Sequence, residues 1–311
     1  MMSAAYHAAD PAFPDDPAIF ARYTAHDPAA TSDDWVVGWI DGEPVTALRV
    51  FARDLRVIPG GATARLGGIG NVATHPAYGG RGLGAALLAR TLDLLRRRSF
   101  ALSLLYAGSR QRAFYERAGW RSLSSDWTRL DLGRPLAAAA AAGGRVADTL
   151  RIVDVAGATD GERATALNAA ARFYDASSAA TPGAIIRSSE YWSRWIGAFA
   201  LAETRSRLLV AFRGFAPVAY LAGRNTESGL ELAEGFAAPA DEPALVALAA
   251  ELGGGATMLC WPRVPWLDAA FGGLDGRAES ITRSAGMGRA VAPGDGGFPA
   301  FRYLLSVLDR F

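Results

Sequence analysis

Apolar and polar positions alternate through "DDWVVGWIDGEPVTALRVFARDLRVI", and the turn "DGEP" interrupts them once, which predicts two antiparallel strands joined tightly. The segment "ATARLGGIGNVATHP" reads as a third strand whose glycines mark a bulge or a close backbone approach. From Leu83 the pattern changes: Leu83, Leu87, Leu88, Leu92, Leu94 and Leu95 recur with a period of about 3.6 residues, the signature of an amphipathic helix. That helix ends in Arg96, Arg97 and Arg98, a solvated terminus that the helix dipole favours. The continuous apolar run "FALSLLYAG" predicts a buried strand. "SRQRAFYERAGW" predicts a short helix capped by Ser109 and stopped at Gly119, and "WRSLSSDWTRLDL" a closing strand pair. This order predicts an α/β fold built on a mixed sheet (α+β).

The second half repeats part of the layout. "VVGWIDGEPVTAL" from Val36 and "LLVAFRGFAPVAYL" from Leu208 share a strand, a glycine turn, Pro-Val and another strand. "GLELAEGFAAP", "EPALVALAAEL" and "ATMLCWP" then read as strand, helix and buried strand, with "AAPADE" where the first half has "GGRGLG". Between the halves, "GRPLAAAAAAGGRVADT" reads as a linker, although its alanines suit a short helix. The predicted organisation is a first domain over 1–132, a linker over 133–149 and a second, degenerate copy over 150–311.

Composition narrows the chemistry. A chain of 311 residues, half of them hydrophobic, is long enough for two cores. A net charge of +1 gives no sign of nucleic acid or an anionic membrane. All 32 basic residues are arginine, so lysine chemistry is excluded. The single cysteine, Cys260, sits in an apolar run and reads as a small core residue, with neither a disulfide framework nor a thiolate metal cluster. The N-terminal "MMSAAYHAADPAFPDD" does not read as a signal peptide, and the expectation is a soluble cytoplasmic protein that needs no metal.

The densest chemical signal is "AYGGRGLGAALLAR", residues 77–90. Glycines let a backbone approach a phosphate closely, and the start of a helix offers unpaired amides to it. A nucleoside-triphosphate loop needs a lysine followed by serine or threonine, and Ala85 and Ala86 stand there instead. "GRGLGA" fits the dinucleotide pattern, but the acid expected about 20 residues on is missing and the preceding strands form a meander.

Together, "NVATHPAYGGRGLGAALLARTLDLL" and the later "AFYERAGW" resemble the GNAT family of acyl-CoA-dependent N-acyltransferases over roughly residues 34–132. The resemblance implies tandem GNAT-like folds. It assigns the pantetheine arm of acetyl-CoA to Val72, Ala73 and Thr74, and the pyrophosphate to Gly79, Gly80, Arg81, Gly82, Leu83, Gly84 and Ala85. It makes Tyr115 the acid that protonates the leaving thiolate. The chain departs from the family at Gly79, where arginine or glutamine is usual. The tandem layout, with "SSEYWSRWI" in the second copy, further resembles the Eis-type subgroup. The chain is short for that subgroup's third domain, and its C-terminal carboxylate role is not carried over to Phe311.

The resemblance implies an N-acetyltransferase that passes an acetyl group directly to a primary amine, on a small molecule or a peptide. Strand amides around Val72 to Thr74 would polarise the thioester carbonyl. Alkylamines with a pKa of about 10.4 are mostly protonated at neutral pH, so the amine must lose a proton or be selected in its free form. "GGIGNVAT" carries no carboxylate, only Asn71, and Asp33, Asp34, Asp41, Glu231 and Glu234 are the candidate bases. "AFPDDPAIFARYTAHDP" is expected to form helices and a loop over the acceptor. His75 reads as a turn or cap, Phe114 and Trp120 read as core, and His7 and His26 have no partner pattern. The second domain would shape the acceptor pocket or an oligomer interface. Two other classes stay open, a non-catalytic acyl-CoA sensor or scaffold and, on "GRGLGA" alone, a nicotinamide oxidoreductase.

Overall fold

The computed structural model describes residues 2–9, 16–57, 61–142, 150–291 and 306–309. Two compact units divide them, one holding 1–123 with the strand residues from 284, the other 124–283 with 306–309. These units cut the chain differently from the linear division at 133–149, because residues from the far end return to the first unit.

In the first unit, α1 (Met2–Ala9) and α2 (Ala18–His26) precede β1 (Trp35–Ile40), β2 (Glu43–Arg56) and β3 (Thr63–Thr74). The hairpin between β1 and β2 turns at Asp41 and Gly42, both at positive φ, the geometry that matches strand twist. Next come α3 (Leu83–Arg97), β4 (Leu102–Leu105) and α4 (Arg112–Arg117), and β11 (Arg277–Ala290) supplies its second half. The sheet order is β1-β2-β3-β4-β11, with β3 and β4 parallel and the other pairs antiparallel. Helix α3 lays Leu87, Leu88, Leu92 and Leu95 against it, packing on Leu48, Val50, Ile69 and Leu105. Gly67 in β3 is a close approach, since a Cβ there would collide with Leu95.

The second unit holds most of β5 (Arg121–Asp131), then α5 (Leu136–Ala142), β6 (Arg151–Asp154), α6 (Asp160–Ser178), a π-helical turn Tyr191–Ala200 and α7 (Leu201–Glu203). Strands β7 (Arg207–Arg213), β8 (Ala216–Thr226) and β9 (Gly229–Ala237) form the expected meander, followed by α8 (Pro243–Gly253), β10 (Met258–Pro262) and α9 (Pro265–Phe271). With the first half of β11 its order is β11-β5-β10-β9-β8-β7-β6. The internal repeat is therefore a repeated fold, in which β7 to β10 and α8 mirror β1 to β4 and α3. Cys260 is buried in β10, as expected of a core residue.

Three local expectations change. The helix after β4 starts at Arg112 with Gln111 as its N-cap residue; Gln111 N–H closes a turn onto Gly108 O, so Ser109 lies two residues too early to cap it. The segment after Trp120 is a single strand rather than a pair, as its lack of glycine and proline permits. In the segment read as a linker, the alanines form the short helix they suit, Leu136–Ala142, but Leu136 and Ala139 are buried in the second core; residues 143–149 lie outside the described set. Among the described residues no helix is long and apolar enough to cross a membrane, and no three potential metal ligands gather.

Candidate active site

The site forms where β3 parts from β4. Their pairing runs from Leu66–Leu102 to Ile69–Leu105; β4 then ends while β3 continues to Thr74. Across β3, Ala47 faces Ala73 and Arg49 faces Gly70, so Asn71 and Val72 bulge opposite Leu48 alone. Asn71 takes the left-handed conformation, with φ 54°, which its short polar side chain tolerates.

After β3 the chain turns through Pro76–Tyr78, where His75 Nδ1 accepts the Ala77 amide at 3.2 Å. His75 is thus a cap. Gly80 and Gly82 have φ of 73° and 77°, and no protein atom lies within 4 Å of where a Cβ on either would point. Their backbone demands glycine and their outer face is open. The first helical bond of α3 joins Ala86 N–H to Gly82 O, so the amides of Leu83, Gly84 and Ala85 precede the hydrogen-bonded ladder. Gly79 has φ −59°, a conformation open to any residue.

These elements line one cleft of ≈ 880 Å³. It brings together every residue that the resemblance assigns to the coenzyme or to proton transfer: Val72, Ala73, Thr74, Gly79, Gly80, Arg81, Gly82, Leu83, Gly84, Ala85 and Tyr115. Its charged walls are Arg81, Arg117 and Arg289, without a carboxylate, which suits a polyanion such as coenzyme A. Arg81 lies over the Tyr78 ring at 5.3 Å.

Sequence reasoning missed Arg289. It sits on β11, where Gly288 pairs with Leu104 and Arg289 with Ser103, and its guanidinium donates to Ala118 O beside the Trp120 ring. A Cβ on Gly119 would strike it. No motif marks "GMGRA" as part of this cleft; only the return of β11 delivers it.

Tyr115 is buried on α4 against Phe114, their centroids 5.0 Å apart. Burial pushes its hydroxyl up from 10.0 to about 12, so it stays protonated and able to donate at neutral pH. The unfolded chain would ionise this tyrosine near pH 10, whereas the folded one resists. Its contribution of about 3 kcal/mol is therefore complete below pH 10 and lost as pH rises towards 12. Urea midpoints should fall over that interval, and Tyr115→Phe should flatten the fall.

Val72 and Tyr115 also line a second, smaller cavity of ≈ 170 Å³ with Tyr6, Phe20, Tyr23, Ile69, Gly70, Asn71 and Tyr106. Tyr6 of α1 and Phe20 and Tyr23 of α2 stand in its wall; of the segment expected over the acceptor, residues 12–28, those up to 15 lie outside the described set. Tyr6 is raised chiefly by burial, and its oxygen accepts from the Val72 amide. Asn71 is buried and its Nδ2 has no hydrogen-bond partner.

None of the five candidate carboxylates lines either cavity. Asp34 is held by Arg98 at 2.8 Å, and Asp41 turns the first hairpin. Glu231 is bound by Arg224 and Arg283, and Glu234 is buried against Arg187 with Asp309, Tyr191 and Tyr220 around them. In the second unit, Pro243 opens α8 where α3 presents free amides, and it has no N–H to offer. That copy lacks the phosphate cradle.

Residues 1–123 match the sequence model of the acetyltransferase (GNAT) domain. A search of curated proteins finds none that matches. Among solved structures, a GCN5-related N-acetyltransferase from Kribbella flavida is 19% identical with a TM-score of 0.60, covering 88% of this chain and 62% of its own. The chain thus spans less than two thirds of that protein. A probable N-acyltransferase from Enterococcus faecalis is 17% identical with a TM-score of 0.64, covering 93% of this chain and 69% of its own. Eis1 from Mycobacterium abscessus is 17% identical with a TM-score of 0.54, covering 88% of this chain and 69% of its own. At these identities the likeness is one of fold.

Proposed function

We propose, from residues 1–123 being a domain of the acetyltransferase (GNAT) family within a tandem GNAT fold, that the protein transfers an acetyl group from acetyl-CoA to a primary amine. The observation that carries this reading is the meeting of the glycine loop, the parted end of β3 and Tyr115 in one arginine-walled cleft.

The loop amides of Leu83, Gly84 and Ala85 bind pyrophosphate oxygens, helped by the positive end of α3. Arg81, Arg117 and Arg289 meet the remaining phosphate charge. The edge of β3 at Val72 to Thr74 accepts the pantetheine arm, and acetyl-CoA supplies the activated acyl group. Tyr115 holds a proton at its hydroxyl and gives it to the leaving sulfur. No carboxylate lines the cleft among the described residues, so the site takes an amine that already presents a free lone pair. The family-level expectation of a cytoplasmic enzyme acting on a small or peptide amine belongs to this same reading.

Calorimetry with acetyl-CoA tests it directly: saturable binding is expected, and none at millimolar concentration would end it. Gly82→Val forces a branched residue to φ 77°. At a strain of roughly 1–3 kcal/mol it should weaken acetyl-CoA by about tenfold or more. Unchanged affinity would remove the loop from the binding site.

A further inference from the structure

The ≈ 170 Å³ cavity shares only Val72 and Tyr115 with the larger cleft, so an acceptor seated in it reaches the acyl group where the two spaces meet. Its walls are unusual for a site that handles amines. They carry four tyrosines, a phenylalanine, an isoleucine and one amide, and among the described lining residues neither carboxylate nor histidine. An ammonium entering would give up its water and find no counter-ion among these lining residues. The attraction of aromatic faces for a cation is smaller than that loss.

Among the described residues, the cations behind the aromatic wall are Arg49 and Arg53, offset by Asp27 and, around Arg49, by Asp34. Arg49 lies 4.3 Å from the Phe51 ring, and Phe51 is 6.0 Å from Tyr23 in the cavity wall. Arg49 and Arg53 share Asp27, two guanidiniums on one carboxylate. The volume is also telling, because a cavity of about 150 Å³ has room for one benzene-sized ring. Among the described lining residues, the buried side-chain donor without a hydrogen-bond partner is Asn71 Nδ2, on the bulge itself.

We infer that the acceptor is a compact aromatic amine of low basicity, an arylamine that is uncharged at neutral pH, with its ring among Tyr6, Phe20, Tyr23 and Tyr106 and a hydrogen-bond acceptor on Asn71. This rests on the acetyl-transfer reading and names its substrate class. The amine nitrogen gives its lone pair to the thioester carbonyl carbon, and the carbon–sulfur bond breaks. Tyr115 passes its proton to sulfur and regains the one that nitrogen loses. Such an amine needs no base, which accounts for a cavity to which no described lining residue brings a carboxylate. Alkylamines, about a thousandth neutral at pH 7, are disfavoured.

The test follows thiol release from acetyl-CoA with 4-methylaniline, benzylamine and spermidine, beside calorimetry with acetyl-CoA alone. For 4-methylaniline the expected kcat/KM at pH 7 exceeds that for benzylamine by about tenfold or more, and stays flat from pH 6 to 9 while the benzylamine value climbs. Asn71→Asp places a carboxylate in the cavity without disturbing the left-handed backbone, and should shift preference towards benzylamine by about tenfold. Binding of acetyl-CoA with benzylamine or spermidine preferred, or with no acceptor used, overturns the inference and leaves the coenzyme site standing. Absence of acetyl-CoA binding overturns both. An unshifted preference in Asn71→Asp also counts against the inference.

Discussion

Replacing Tyr115 by phenylalanine is expected to lower kcat about a hundredfold while leaving acetyl-CoA affinity unchanged, the range typical of a lost general acid. The ring packs between Phe114 and the core of α3 and β4, and phenylalanine keeps that packing. Only the hydroxyl, held protonated by burial, disappears. The split matters more than the size of the loss: a structural role would move affinity and stability along with turnover. Calorimetry beside steady-state kinetics reads both, and unchanged turnover would mean that the sulfur takes its proton from water.

The largest stability effect is expected at Asp27. Its carboxylate is 1% exposed and binds Arg49 Nη2 at 2.9 Å and Arg53 Nη1 at 3.0 Å, with Arg49 wholly buried. Burying charges is costly, and taking one partner away leaves the others uncompensated. Asp27→Ala should cost about 3–5 kcal/mol, read as a lower urea midpoint. Asp27 follows α2 directly and also accepts the Ala29 amide, so it pins the helix that brings Phe20 and Tyr23 to the smaller cavity. Loss of 4-methylaniline turnover ahead of acetyl-CoA binding, as urea rises, should accompany the destabilisation. A cost below about 1 kcal/mol would show that the two arginines do not depend on this carboxylate.

Much of this was legible because short-range rules governed it. The leucine period fixed α3 nearly to the residue, and the glycines of 79–84 announced a loop whose conformation only glycine adopts easily at Gly80 and Gly82. The cleft residues were legible for the same reason, as Val72 to Ala85 are contiguous and Tyr115 follows one strand later. What escaped depends on contacts distant in sequence. Arg289 reaches the cleft through a strand pairing that no local pattern encodes. The buried, left-handed placement of Asn71 came from a bulge created by register across β2 and β3, and the alanine run became part of a core because Leu136 and Ala139 found one. Ser109 suited a cap by chemistry, yet the turn at Gly108 delayed the helix.

The return of β11 to the first unit also sets an order of events during synthesis. As the chain leaves the ribosome, β4 waits with an open edge until Met287 to Ala290 emerge to pair with it. Everything between must be made first, the whole degenerate copy included. A cleft that Arg289 lines is therefore completed only on chains made past residue 290. Molecules cut short before that point would carry the glycine loop and Tyr115 yet lack the strand that closes the β4 edge.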